Sequence, residues 1–316
     1  PVMLARLVRL LDLAQQRSLE VCPTVLDGWL SGFDFRPAWL ATDPFTDPAA
    51  VDASATLVTE VARAVAGHPA LWCLDIANEP NVLMRKAGLA PGSCDGWAHR
   101  MTGAARAAAP GVPVTVGVDH EPWMTGDSAL SADAVVAASD LVAIHAWPYF
   151  TGALRRFGEG DRGAWAIPDY LAQVALATMG EQRKPLWVQE VGVSELWLQH
   201  STVPDFAERM LRRIAAIPEV AAVTWWASHD IDRRFAGFDP LEYGLGLIDA
   251  ANTVKPAGIR VRDVIAELRA RGSTGRPPAQ AVALPPGVVP DLDFAETWFA
   301  AAGASAGPRI VRQTAV

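Results

Sequence analysis

Cysteine is scarce in this chain of 316 residues: Cys22, Cys73 and Cys94 form neither a CxxC pair nor an even set. That excludes a disulfide framework and a thiolate zinc site of the usual spacing. Free thiols in a reducing, cytoplasmic setting are expected, with a Cys22–Cys73 bridge between neighbouring strands a disfavoured alternative. Long apolar runs are missing too. The longest candidate, AVVAASDLVAIHAW, is broken by Asp140 and His145, so no membrane span is expected. Positive charge is short: the net charge is −8 with no basic stripe, which argues against a nucleic-acid partner. No strand is followed by a Gly-rich phosphate loop, so no nucleotide cofactor is implied. A metal-dependent hydrolase using His120, His145, His229 and Asp230 is a weak alternative, because their spacing matches neither HxH nor HExxH. No signal-peptide pattern opens the chain, which begins in what reads as mid-domain. The sequence says nothing of oligomeric state.

What is present is apolar and periodic. Half of the residues are hydrophobic, and tryptophan is abundant at 12 against three tyrosines. Rings at strand ends beside polar residues suit a ligand with apolar faces and many hydroxyls, such as a sugar. Residues 3–18 place Leu4, Leu7, Val8 and Leu11 on one helical face. A strand at 20–26 follows, where Pro23 fits only a strand start or bulge. Helices at 49–66, 95–108, 129–138, 168–179 and 204–215 then each precede a short continuous apolar strand, at 71–76, 113–118, 140–145, 185–190 and 221–227. A last helix spans 257–271.

This alternation means parallel α/β architecture. The absence of a phosphate loop disfavours a doubly wound sheet and leaves a (β/α)₈ TIM barrel. Six strands are visible, so the first two are expected upstream of this chain. The barrel domain is assigned to 1–271, a Pro/Gly/Ala linker to 272–290, and a tail to 291–316. The tail's apolar cluster, Phe294, Trp298 and Phe299, either docks or stays loose.

Two of the strands end unexpectedly. LWCLDIANEP (71–80) runs apolar to Ile76 and then sets Asn78, Glu79 and Pro80, and KPLWVQEVGV (184–193) ends its run on Glu190. In a parallel barrel the carboxyl ends of the strands carry the chemistry. Paired carboxylates there fit glycosidic hydrolysis, about 5–5.5 Å apart for retention and about 6.5–9.5 Å for inversion. A solvated loop residue or salt-bridge partner is the alternative for either glutamate alone.

LDIANEP resembles the Asn-Glu-Pro signature on the fourth strand of clan A retaining glycoside hydrolases, the cellulase- and mannanase-like barrels. VQEVGV resembles their seventh-strand glutamate followed by glycine, IHAW the sixth-strand histidine and VTWWASHD the eighth-strand tryptophan. DGWLSG and GHPALW also fit, and together the motifs cover about residues 1–260. The resemblance implies a retaining β-glycosidase acting on a β-glucan, β-mannan or related oligosaccharide, with no cofactor. Glu79 would be the acid/base, protonated while the nucleophile Glu190 is ionised. Asn78 would bind the sugar 2-hydroxyl, His145 would orient the nucleophile, and Trp226 would lie under the sugar, with Trp225 the core member of that pair. Trp147 and Tyr149 would line the same subsite. His120, with Glu121, is a substrate-contact candidate, and Trp29 and Trp123 are candidates for outer subsites.

Two features depart from the family. The second-strand arginine lies on a strand this chain does not show. Trp147 also stands where a tyrosine is usual, so one hydrogen bond to the nucleophile is lost unless Tyr149 supplies it. A non-catalytic or truncated carbohydrate-binding barrel is the main rival.

Overall fold

The apolar runs form parallel strands flanked by helices in a computed structural model that describes residues 2–199, 201–272, 280–302 and 307–313. The chain divides into two units. One runs to Pro122 and includes Gly126–Ala143; the other comprises Trp123–Thr125 and the chain from Ile144 onward.

The first unit contains α1 (Val2–Gln15), β1 (Thr24–Leu26), a short hairpin of β2 (Trp29–Leu30) and β3 (Phe33–Asp34), and α2 (Pro48–Val65). These are followed by β4 (Leu74–Asn78), α3 (Pro80–Lys86), α4 (Asp95–Ala108), β5 (Val114–Gly117), the short α5 (Glu121–Met124, the unit boundary falling after Pro122) and α6 (Ala132–Ala138). Strands β1, β4 and β5 pair in that order, all parallel. Pro23 falls immediately before β1, the one place where its missing N–H costs the ladder nothing. Local chemistry sets the helix starts. The Asp47 carboxylate accepts from Ala50 N at 3.0 Å with Pro48 in the first turn of α2, and Ser131 Oγ accepts from Ala134 N at 3.1 Å in α6.

Within this apolar sheet, Asp75 is a buried exception at 1% exposure. Its carboxylate accepts from Thr24 Oγ1 at 2.8 Å and from Gly117 N at 2.9 Å. The β4–β5 register shifts between Asp75 and Asn78, and Asp75 takes the Gly117 N–H there. One buried carboxylate therefore ties β1, β4 and β5 together just before β4 ends. Cys22, Cys73 and Cys94 are all free thiols. A hydrogen bond with Cys73, together with burial, pushes the Cys22 thiol well above its ordinary range.

The second unit carries β6 (Val142–His145, the unit boundary falling within it), α7 (Ala153–Phe157), α8 (Arg162–Trp165), α9 (Ile167–Met179), β7 (Leu186–Val191) and α10 (Val203–Ala215). Then come β8 (Val220–Trp225), α11 (Pro256–Arg271), β9 (Ala281–Leu284), α12 (Leu292–Ala301) and β10 (Arg309–Arg312). The sheet order is β6-β7-β8. Helices α10 and α11 cover β8 through Ala207, Leu211, Val261 and Val264, against which Val223 and Trp225 pack. Trp225 thus faces the helix layer, as expected of a core ring.

The expected linker is shorter than its composition suggests. Residues 281–284 form β9, paired in parallel with β10, while 273–279 lie outside the described residues. The tail docks within this unit. Trp298, fully buried, meets Tyr170 of α9 with ring centroids 5.5 Å apart, and Phe299 meets Phe157 at 5.6 Å. Tyr170 Oη donates to Asp291 O at 3.2 Å, and Arg162 donates to Ala302 O at 2.7 Å. Each such ring contributes about 1.5–3 kcal/mol by leaving water, enough to hold a short segment in place. Among the described residues no helix is long and apolar enough to cross a membrane.

Candidate active site

Glu79 stands one residue beyond β4 and at the N-cap of α3, with φ 43° and ψ 48°. A residue before proline is disfavoured in the right-handed helical region, and Glu79 takes the left-handed one, which costs a non-glycine residue about 1–3 kcal/mol. The surroundings hold it there: Glu79 N donates to Gly117 O at 2.9 Å, and its side chain makes no capping bond to α3. The turn therefore aims the carboxylate by backbone geometry.

Asn78 Nδ2 donates to Trp29 O at 2.6 Å, fastening the β2–β3 hairpin to the end of β4. Lys86 Nζ lies 4.1 Å from the Trp29 ring centroid and pairs with Asp34 at 3.0 Å, so one face of that ring is already covered. His120 is partly buried, its Nδ1 3.7 Å from Asp119 Oδ2. Glu121 is buried and bound to Arg85 at 3.0 Å and to Asn81 Nδ2 at 3.0 Å, so this carboxylate belongs to a structural network rather than to an open surface. Burial works against the Arg85 charge. The hydrogen bond with Glu121 and the charges of Glu121, Asp119 and Glu79 outweigh it and hold the guanidinium above its ordinary value.

Glu190 is set differently. It lies inside β7, partly buried, in the stretch between Val188 and Val191 where the β7–β8 register shifts. Trp147 Nε1 donates to Glu190 Oε2 at 3.2 Å, and His145 Nδ1 lies 3.5 Å from the same oxygen. The buried His145 ring also meets Gln189 Oε1 at 3.2 Å through Nε2. The backbone aligns these groups, since Ala146 N donates to Glu190 O at 2.8 Å. The indole of Trp147 thus makes the hydrogen bond that sequence comparison suggested was lost. Tyr149, the expected substitute, instead stacks on Trp197 at 4.4 Å and 7° and is 46% exposed.

Gly192 closes this arrangement. A Cβ there would lie 2.3 Å from Trp226 O and 2.9 Å from the Trp147 ring, so only glycine admits both. Trp226 packs in the cluster of Trp147, Leu241, Leu245 and Trp197. Trp197, in the loop after β7, is a ring the sequence analysis passed over. Its only signal was an aromatic residue following a strand end. Trp123, expected at an outer subsite, is 1% exposed and offers no open face. A large ring flanked by Pro122 and Met124 meets its hydrophobic demand more fully inside. Asp230, considered as a metal ligand, is held by Lys255 Nζ at 2.9 Å and by Gly246 N at 2.7 Å, while His229 contacts Ser228.

No protein-family model and no curated protein matches this chain, but solved structures do. The GH5_18 protein of Streptomyces cattleya, crystallised as a variant with Manb1-4GlcNAc, is 30% identical with a TM-score of 0.92, covering 99% of this chain and 80% of its own. The GH5_18 protein of Bifidobacterium longum subsp. infantis is 26% identical with a TM-score of 0.86, covering 98% and 77%. An exo-beta-1,4-mannosidase from Opitutaceae bacterium strain TAV5 shares the fold at 23% identity and a TM-score of 0.75, covering 98% of this chain and 59% of its own. The parallel strands and their covering helices are those of a (β/α)₈ barrel. With the likeness to the Streptomyces protein running through nearly the whole sequence, the chain belongs to the GH5_18 glycoside hydrolases and is an O-glycosyl hydrolase that cleaves β-linked glycans with retention.

Proposed function

We propose that this enzyme cleaves a β-mannoside, Manβ1-4GlcNAc or a glycan ending in it, with Glu190 as nucleophile and Glu79 as general acid/base. The observation that carries the substrate is the Streptomyces relative, 30% identical across 99% of this chain and crystallised with Manb1-4GlcNAc. The residue roles are supported by position, since each glutamate closes a buried parallel strand at the end where barrels of this kind hold their chemistry.

In the first step an ionised Glu190 attacks the anomeric carbon while protonated Glu79 gives its proton to the departing glycosidic oxygen. In the second, Glu79 takes a proton from water, which displaces Glu190 from the glycosyl ester. Two inversions give net retention. The Trp147 N–H on Glu190 Oε2 fixes the carboxylate's rotamer and supports its negative charge. Asn78 spends one amide hydrogen on Trp29 O and supplies the other to the sugar 2-hydroxyl. Trp226 provides the ring beneath the sugar.

Azide rescue tests the assignment. Glu190→Ala supplied with azide should yield the α-mannosyl azide, because azide replaces the nucleophile on its own face. Glu79→Ala should yield the β-mannosyl azide, because azide replaces water on the other. The reverse pattern would exchange the two roles. Full activity in either variant would remove that residue from the mechanism.

A further inference from the structure

The hydrogen bond from the Trp147 indole to Glu190 joins two elements: Trp147 stands in the loop after β6, and Glu190 in β7. At 3.2 Å it lies at the long end of the usual range of about 2.7–3.2 Å, so it has little slack. The donor sits on one edge of a ring that turns about two side-chain bonds, the second with a broad torsional preference. A modest rotation of that ring would carry Nε1 off the carboxylate. Its angle has to be held by what packs against it.

Three rings surround the indole. Trp197 meets Trp147 edge to face, with centroids 6.0 Å apart and planes at 84°, and Phe150 meets it at 5.7 Å and 77°. Trp197 in turn stacks on Tyr149 and meets Phe150 at 5.6 Å and 83°. Tyr149 and Phe150 belong to the same loop as Trp147 and move with it. Trp197 comes from the loop after β7, the strand that carries Glu190. Of these three contacts, it is the one that relates the donor ring to the acceptor's own strand.

The segment bearing Trp197 is anchored by a dense set of polar bonds. The buried Ser194 hydroxyl donates to Leu241 O at 3.0 Å and accepts from Leu196 N at 3.2 Å, while Trp197 N donates to Ser194 O at 3.0 Å. Glu195 N donates to Gly244 O at 3.2 Å. The Glu195 carboxylate pairs at 3.2 Å with the buried Lys255, whose ammonium also holds Asp230 at 2.9 Å. A turn tied at this many points presents its ring in one place, as a support for a precisely aimed group must.

We infer that Trp197 is a positioning residue: from the loop after β7 it holds the Trp147 indole at the angle that keeps its N–H on Glu190. The inference rests on the reading of Glu190 as nucleophile and names what sets that group's donor.

A double-variant cycle tests it. Trp197→Leu keeps apolar bulk and removes the ring, whereas Trp197→Phe keeps a ring. On 4-nitrophenyl β-mannoside, Trp197→Leu should lower kcat about ten-fold with KM within about two-fold, and Trp197→Phe should recover most of that loss. Because Trp197 acts through Trp147, adding Trp197→Leu to Trp147→Phe should cost less than about two-fold more. The Trp147 indole N–H resonance, identified by its loss in Trp147→Phe, gives a readout that needs no turnover. It should lie downfield in the wild type, move upfield in Trp197→Leu and return in Trp197→Phe. Trp197→Met serves the same cycle should the leucine variant not fold. If no β-mannoside is cleaved but the resonance follows this pattern, the positioning stands and the substrate reading fails. Losses that multiply in the double variant, a loss carried by KM, or a resonance unmoved without the Trp197 ring overturns the inference.

Discussion

Glu79 and Glu190 end similar apolar runs, and the protein fixes them by opposite means. Glu79 is aimed by its backbone. It occupies a left-handed turn before Pro80, with its backbone N–H donated to Gly117 O and no side-chain capping bond to α3. Glu190 sits within a strand, at a shift of its register with β8, and is held by side chains: the Trp147 indole, the His145 ring, and a glycine two residues on that lets both Trp147 and Trp226 close in. The difference suits the two tasks. A nucleophile must hold one oxygen on one carbon, which directional donors do well. In the proposed mechanism an acid/base must serve a leaving oxygen in one step and a water in the next.

The largest effects should come from the carboxylates. Glu190→Gln should lower kcat on every substrate by on the order of 10⁴-fold or more. Glu79→Gln should cost about 10²–10⁴-fold on alkyl mannosides and far less on activated aryl mannosides, which need little acid assistance. Equal losses on both substrate types would erase the contrast.

Gly192→Ala comes next, because the added methyl would enter the Trp226 carbonyl. Overpacking of about 1–3 kcal/mol should lower Tm by several degrees, and activity should fall more steeply than stability as Trp147 is pushed off Glu190. An unaltered Tm and kcat would mean the strand end adapts. Trp147→Phe keeps the ring contacts and removes only the donor. Losing a hydrogen bond to a charged group is worth about 1.5–3 kcal/mol, so kcat should drop roughly ten-fold or more with little change in Tm.

On the other side, Arg85→Gln should act mainly on stability. It removes the ion pair to the buried Glu121 while the Asn81 hydrogen bond stays, and Arg85 is half-exposed, so a loss of about 1 kcal/mol is expected in urea unfolding. Tyr149→Phe should be the mildest change. Its hydroxyl does not serve Glu190, so kcat/KM should stay within about two-fold of wild type. A ten-fold loss would return the nucleophile's donor to Tyr149.

Much of the first region was legible because its causes are local. Pro80 restricts the residue before it, Asp47 and Ser131 cap their helices, and β4 and β5 are buried enough to read as unbroken apolar runs. The second region was legible only in outline. His145 was expected beside Glu190, and its Nδ1 lies 3.5 Å from that carboxylate. The donor, however, is an indole 43 positions away from Glu190 in sequence, and nothing local to either residue chooses it over Tyr149. Trp123 and Trp29 looked alike as loop tryptophans. One is buried at 1% exposure and the other lies beneath a lysine. Residues 281–284 read as linker because their pairing partner, Arg309–Arg312, comes long after them.

The sequence by itself determined the alternation of strands and helices, the two glutamates at strand ends and the break in the strand at Pro80. Each follows from hydrophobic periodicity or from a backbone restriction acting across one or two residues. Only the tertiary structure decided which ring donates to Glu190, why residue 192 has no side chain, and that the tail packs on α9. Those outcomes depend on distances between groups far apart in the chain, and such distances are set when the strands and helices pack.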